Sequence, residues 1–187
     1  MSRRFQVLLV SVAAAAAVVA MAVFILGGDE DGGGRAERTE LTTFTAADAK
    51  FRAGFPTTPK RTEQDVPAGG SSLHLVQYTS EVGGTRGFSV GWFQLPVAPE
   101  PTALRPFLEA TQRGSVAAVK GTLQTSTFLK HDGHDAVEYV AKLADGGYVK
   151  ARTLLVGKDV YVIQVVGPES NPASYDEFVA SFEVLPA

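Results

Sequence analysis

Between Leu123 and Val166 the chain carries four runs of β-forming residues, at 123–130, 136–143, 148–156 and 160–166. They are separated by Asp132-Gly133, Asp145-Gly146-Gly147 and Gly157-Lys158-Asp159. Each break is short and holds a glycine that accepts a positive φ, as a tight hairpin turn requires. Strands joined so closely pair antiparallel with their predecessors. Three such breaks in succession predict a four-stranded antiparallel meander.

Upstream, residues 50–55 alternate Phe51, Ala53 and Phe55 and stop at Pro56, which predicts a strand. The polar, proline-punctuated stretch 56–70 reads as a long surface loop. Residues 72–80 and 86–95 predict two strands joined by a hairpin at Gly83-Gly84. Pro96, Pro99 and Pro101 then break the chain before a helix expected from Thr102 to about Arg113. Leu104, Phe107, Leu108 and Thr111 fall at helical spacing there, and Pro106 lies in the first turns, where a missing N–H costs least. Gly114 ends this helix, or residues 115–120 add another turn. A last helix follows, with Asn171 as N-cap, Pro172 at the first helical position, and Tyr175, Phe178, Val179 and Phe182 as one apolar face.

Residues 88–95 and 160–166 are apolar on both faces, as strands are in a sheet covered on both sides. Residues 136–143 alternate Val137, Tyr139, Ala141 and Leu143 with a more polar set, so one face there is expected to meet water. The predicted fold class is α+β, a mainly antiparallel sheet of six to seven strands with helices packed on both faces.

The chain begins with a different signal. Arg3 and Arg4 precede an unbroken apolar run from Val7 to Leu26, and Asp29, Glu30 and Asp31 follow it. About 20 apolar residues in a helix span the hydrocarbon core of a bilayer. The basic flank is expected on the cytoplasmic side. The organisation expected is therefore a cytoplasmic N-terminus at 1–6, an uncleaved transmembrane anchor at 7–26, a flexible glycine-rich and acidic linker at 27–40, and an extracytoplasmic domain at 41–187. The alternative is a cleaved signal peptide, with Ala20-Met21-Ala22 offering the small-x-small site, and a secreted product. Against cleavage, Val23-Phe24-Ile25-Leu26 would be left on a solvated terminus. Ser2-Arg3-Arg4 matches a twin-arginine export signal only in its arginines. A lipobox anchor is excluded because the chain has no cysteine. A linker of this composition gives a mean span of roughly 20 Å, so the domain is expected to stay near the membrane.

Charge narrows the partners. Of the 17 lysines and arginines, two precede the apolar run, and the rest are interspersed with 20 acidic residues. No basic block or aromatic-basic stripe is present, so nucleic acid is not an expected partner.

Gly87-Phe88-Ser89-Val90-Gly91 has the G-x-S-x-G pattern of serine hydrolases, and Asp132 and His134 supply formal partners for Ser89. The chemistry needs a sharp strand–serine–helix turn, whereas Trp92-Phe93-Gln94-Leu95 continue a strand. The structural reading of Ser89 is preferred. His131-Asp132-Gly133-His134-Asp135 is the densest polar cluster. A two-residue turn at Asp132-Gly133 would make His131 and His134 cross-strand neighbours about 5 Å apart at Cβ, close enough to share a metal. Zinc usually takes three or four protein ligands, and no third is evident beside Asp132 or Asp135. A polar turn is the preferred reading. His74, between Leu73 and Leu75, reads as an ordinary sheet histidine. Asp176-Glu177 suit the positive start of the last helix. Lys150 and Arg152 share one strand face, read here as a solvated face in preference to a site for an acidic partner. No catalytic, cofactor-binding or metal-ligating residue is assigned, and no cofactor is expected.

Three loose motifs carry a family resemblance. They are Phe51-x-x-x-Phe55-Pro56-x-x-Pro59, Gly133-x-x-Ala136-x-Glu138 and Phe178-x-x-Ser181-Phe182. With the order of elements they make residues 44–185 resemble the PsbP-like fold, specifically its envelope-associated actinobacterial lipoprotein-like members. The chain departs from these in using an apolar segment in place of a lipobox cysteine. The resemblance implies a non-catalytic accessory or binding role and supplies no functional residue to carry over. The function expected is a membrane-anchored extracytoplasmic binding domain of the cell envelope. Its partner would be an envelope protein or a lipid-like, apolar ligand. The alternative is a small extracytoplasmic hydrolase or metal-binding protein using Ser89 or His131 and His134.

Overall fold

The computed structural model describes residues 39–68 and 71–186. The apolar run and most of the linker lie outside them. Among the described residues no helix is long and apolar enough to cross a membrane.

The strands are β1 (Thr42–Ala46), β2 (Phe51–Phe55), β3 (Lys60–Ala68), β4 (Ser71–Val82), β5 (Arg86–Gln94), β6 (Thr122–His131), β7 (His134–Lys142), β8 (Tyr148–Val156), β9 (Asp159–Gly167) and β10 (Glu183–Val184). The helices are α1 (Leu104–Ala118), entered through a 3-10 turn at Pro101–Ala103, and α2 (Ala173–Ala180). Seven strands form one antiparallel sheet in the order β3-β4-β5-β9-β8-β7-β6, and a smaller sheet has the order β1-β2-β10.

The meander forms as the turns predict. Asp132 and Gly133 take φ of 48° and 81°, which closes a two-residue turn and sets His131 opposite His134. The β4–β5 hairpin forms through Gly83 and Gly84, also at positive φ. A three-stranded unit, β3-β4-β5, and the four-stranded meander meet along β5 and β9. At that seam Trp92 Nε1 and Gln94 Nε2 both donate to Asp159 Oδ1 at 3.0 Å.

Side chains alternate across a strand, and the buried clusters divide accordingly. Val76, Tyr78, Phe88, Val90, Leu154, Tyr161, Ile163 and Val165 point to one face, beneath Phe51, Phe55, Tyr175, Phe178 and Phe182 from the small sheet and α2. Val137, Leu155, Val160 and Val162 point to the other, with Phe107 and Leu108 of α1. Tyr139, Ala141, Val149 and Ala151 extend that face under Val116. The strands expected to be apolar on both faces, β5 and β9, are the central ones.

Several expectations require correction. Residues 56–70 are not a long loop, because Lys60–Ala68 form edge strand β3. An edge strand keeps one row of backbone groups in solvent and tolerates charges and proline, so its composition imitates a loop. The small sheet adds two unanticipated strands, β1 and β10, both paired with β2. Of the two ends expected for helix α1, the one with a turn added after Gly114 forms: the helix runs to Ala118, with Ser115 and Val116 buried. The N-cap of α2 is Pro172 with no side-chain capping bond, so Asn171 does not cap it.

Candidate functional site

Ser89 lies in the middle of β5, paired with Thr79 on one side and Gln164 on the other, and is fully buried. Its hydroxyl makes no hydrogen bond among the described residues. Asp132 and His134 stand at the β6–β7 turn, three strands across the sheet and several residues along it. At about 4.8 Å per strand and 3.4 Å per residue, that is roughly 20 Å from Ser89. The G-x-S-x-G match is therefore a strand segment whose serine meets neither formal partner.

The turn histidines do become neighbours, but not equals. His131 lies under the edge of the core, its ring centroid 6.0 Å from that of Phe182. Its Nδ1 is 2.9 Å from Arg152 Nη1, which as a guanidinium can only donate, so His131 accepts there in its neutral form. Burial, with the Arg152 charge, holds its pKa below the ordinary histidine value; Asp132 and the Phe182 backbone oppose this. Among the described residues no group of three His, Asp or Glu side chains could hold a metal ion. His74 is exposed on β4 and lies 3.0 Å from Asp65 and 3.5 Å from Glu63 of β3.

The polar site lies one strand further in, where the sequence suggested solvent. Lys150 and Arg152 project from β8 towards α2 and are largely buried, at 11% and 18% side-chain exposure. Arg152 donates through Nε and Nη2 to Glu138 Oε2 on β7, at 3.1 and 2.6 Å. Tyr175 of α2 donates its hydroxyl to the same oxygen at 3.0 Å. Burial and the Glu138 charge raise the Tyr175 pKa, so the phenol remains a donor. Lys150 Nζ donates to Asn171 Oδ1 at 2.6 Å, is 3.4 Å from Asp176 Oδ1 and sits 4.3 Å from the centre of the Tyr175 ring. The solvated-face reading of Lys150 and Arg152 is thus overturned. Alternation put them on a polar face, but α2 covers it, and Glu138, Asn171 and Asp176 supply the compensating acceptors.

Beyond α2 the same face opens into a cleft of about 460 Å³. It is lined by Gln124, Thr125 and Thr127 of β6, Glu138 and Val140 of β7, Tyr148 and Lys150 of β8, and Ser170 and Asn171 before α2. Hydroxyls, amides and one charged group of each sign share this wall about equally with apolar surface, including that of Val140 and Tyr148, a mixed chemistry suited to a peptide. The cleft was not legible from residue spacing, since it exists only beside the entry to α2, where β6 remains uncovered.

The three motifs that suggested a family meet in the core between the small sheet, α2 and the large sheet. Phe51 and Phe182 stack with centroids 5.5 Å apart, and Phe55 meets Phe178 edge-on at 5.3 Å. The Gly54 N–H donates to Ser181 Oγ at 2.8 Å, and Glu138 anchors Tyr175 between them and the meander.

Comparison with solved structures agrees with this arrangement. The solution structure of cyanobacterial PsbP (CyanoP) from Synechocystis sp. PCC 6803 superposes with a TM-score of 0.52 over 84% of this chain and 98% of that one, at 15% sequence identity. The chain has the PsbP-like fold. No protein-family model matches it, and neither does any curated protein sequence. The PsbP-like domain here therefore owes its assignment to architecture: a seven-stranded sheet, one helix on one face, and a second helix with a small sheet on the other.

Proposed function

We propose that this chain is an accessory domain of the cell envelope, held outside the plasma membrane by residues 7–26, and that it acts by binding a partner protein rather than by catalysis. The observation that carries the reading is the distribution of polar groups. Ser89 is sealed within a sheet ladder, and the charges of Arg152 and Glu138 satisfy one another beneath α2. The accessible polar groups line an open cleft beside an uncovered strand. The PsbP-like fold supports a non-catalytic role. The apolar run between Arg4 and Asp29 supports the membrane address.

Of the two ligand classes expected, a protein is favoured over a lipid-like molecule. An apolar ligand takes a concave, mainly apolar pocket, whereas this cleft is open and mixed, with Gln124, Thr125, Thr127 and Asn171 beside Val140 and Tyr148. The hydrolase alternative would need Ser89 to reach solvent and a base.

The test is proximity crosslinking of the full-length protein in its native membrane, followed by mass spectrometry. Reproducible capture of one envelope protein supports the reading. Capture of lipid alone replaces it with a ligand carrier, and capture of neither sinks it in favour of an activity screen.

A further inference from the structure

The two edges of the seven-stranded sheet are unlike. At β3, Lys60, Arg61, Glu63 and Asp65 are exposed, and Pro67 removes one backbone donor. Charges and proline are how natural sheets keep an edge from pairing with another chain. At β6 the run Thr122–Leu129 has no charge, no proline and no glycine, and its first six residues are exposed. Threonine and phenylalanine favour the extended state.

Among the described residues only β7 pairs with β6, so alternate N–H and C=O groups of β6 point outward. A bulge between Leu123 and Thr125 disturbs the start of the strand, but Thr125 to His131 pair with Val140 to His134 in unbroken register. An extended chain is the shape those groups complement.

Charge decides the occupant. Lys120 lies two residues before β6, Lys142 lies opposite Thr122, and Arg113 stands exposed on α1; none has an ion-pair partner among the described residues. Arg105, paired with Glu109, lies 4.2 Å over the Phe128 ring, and Lys130 pairs with Asp135. The unpaired positive charge lies at the start of β6, at Lys120 and Lys142, where an acidic strand meets the opposite sign. The side chains of such a strand alternate between the cleft over Thr125 and Thr127 and the Arg113 flank of α1.

We infer that β6 accepts an extended, acidic segment of a partner protein as an eighth strand of the sheet. This deepens the binding role proposed above and rests on it.

The experiment follows amide hydrogen exchange in the full-length protein in detergent micelles, with synthetic peptides added at millimolar concentration. The probes are a peptide alternating threonine with glutamate, its threonine–lysine counterpart, and the glutamate peptide with a central proline. The glutamate peptide is expected to slow exchange at Thr125–Leu129 by about tenfold or more and to leave β3 unchanged, because added cross-strand hydrogen bonds protect the amides that make them. The other two peptides are expected to have no effect. The exposed pair Lys120→Glu and Lys142→Glu is expected to abolish the effect of the glutamate peptide. Equal slowing by the lysine or proline peptide, slowing at β3, or no slowing by any peptide overturns the inference. Protection of β6 that rises with protein concentration alone overturns it too, making a second copy the occupant. A partner captured in the membrane but crosslinked away from β6 overturns this inference and leaves the binding role standing; absence of any protein partner removes both.

Discussion

Gly54 and Ser181 lie 127 positions apart and are joined by one hydrogen bond, the Gly54 N–H donating to Ser181 Oγ at 2.8 Å. A Cβ at residue 54 would sit 2.9 Å from Leu41 Cβ and 3.1 Å from that same oxygen. Ser181→Ala leaves a part-buried donor without its acceptor and is expected to destabilise by about 1–2 kcal/mol. Gly54→Ala forces β1 and the end of α2 apart and is expected to cost more, about 2–3 kcal/mol. Thermal or urea unfolding of the two variants and their double mutant checks this. The double mutant should cost less than the sum, since both changes act on one contact.

The Glu138–Arg152 pair is held under α2, so removing one partner strands the other charge. Glu138→Gln or Arg152→Met alone is expected to lose about 3–5 kcal/mol, whereas Glu138→Leu with Arg152→Met should recover most of it. Tyr175→Phe removes only a donor to Glu138 and is expected to cost about 1–2 kcal/mol. Denaturant midpoints of the four variants test the ordering, and a double mutant no better than the singles would contradict it.

His131 makes stability depend on pH in a stated direction. Its folded pKa is lowered by burial and by Arg152, so below pH 6.5 the unfolded chain takes up a proton that the folded chain refuses. The contribution is fully present above about pH 6.5 and is lost as pH falls through that value towards the folded pKa. The melting temperature is expected to fall between pH 7 and pH 5, and to fall less in His131→Gln, whose amide oxygen still accepts from Arg152. Parallel curves for the two proteins would refute this role.

Ser89→Ala is expected to be neutral or to stabilise by up to about 1 kcal/mol, since a buried hydroxyl without a partner is replaced by an apolar group of nearly the same size. The unfolding midpoint should match or slightly exceed that of the unaltered protein, and the native-membrane crosslinking pattern should be the same. Loss of an activity with the fold intact would restore the hydrolase alternative.

What could be read in advance follows the range of the forces involved. The meander was legible because Asp132-Gly133 and its counterparts are local, and a glycine in a tight turn needs no distant partner to explain it. The doubly apolar strands β5 and β9 announced the centre of the sheet. Strand β3 stayed hidden because Lys60, Arg61, Glu63 and Asp65 serve an edge, where the alternation of a buried strand is absent. Lys150 and Arg152 were misread for a related reason. Alternation shows which residues share a face but not what covers it, and here the cover is α2, some 20 positions later in the chain. Had β7 and β8 been aligned in register, Glu138 opposite Arg152 would have signalled a buried pair. Asn171 looked like a cap because asparagine before proline is the usual helix entry; its side chain was claimed by Lys150 instead.

The closing of the small sheet has a consequence for synthesis. Phe51 and Phe55 are among the first described side chains to leave the ribosome, yet their covers, Phe178 and Phe182, are among the last. Strand β10 and the bond from the Leu185 N–H to the Lys50 carbonyl come later still. The domain cannot mature residue by residue, because the face that Phe51 and Phe55 share with Tyr78 and Tyr161 closes only when the segment from α2 to β10 packs on it. A chain stalled or clipped before Phe178 would display part of its own aromatic core, which gives a quality-control protease a ready means of telling unfinished copies from finished ones.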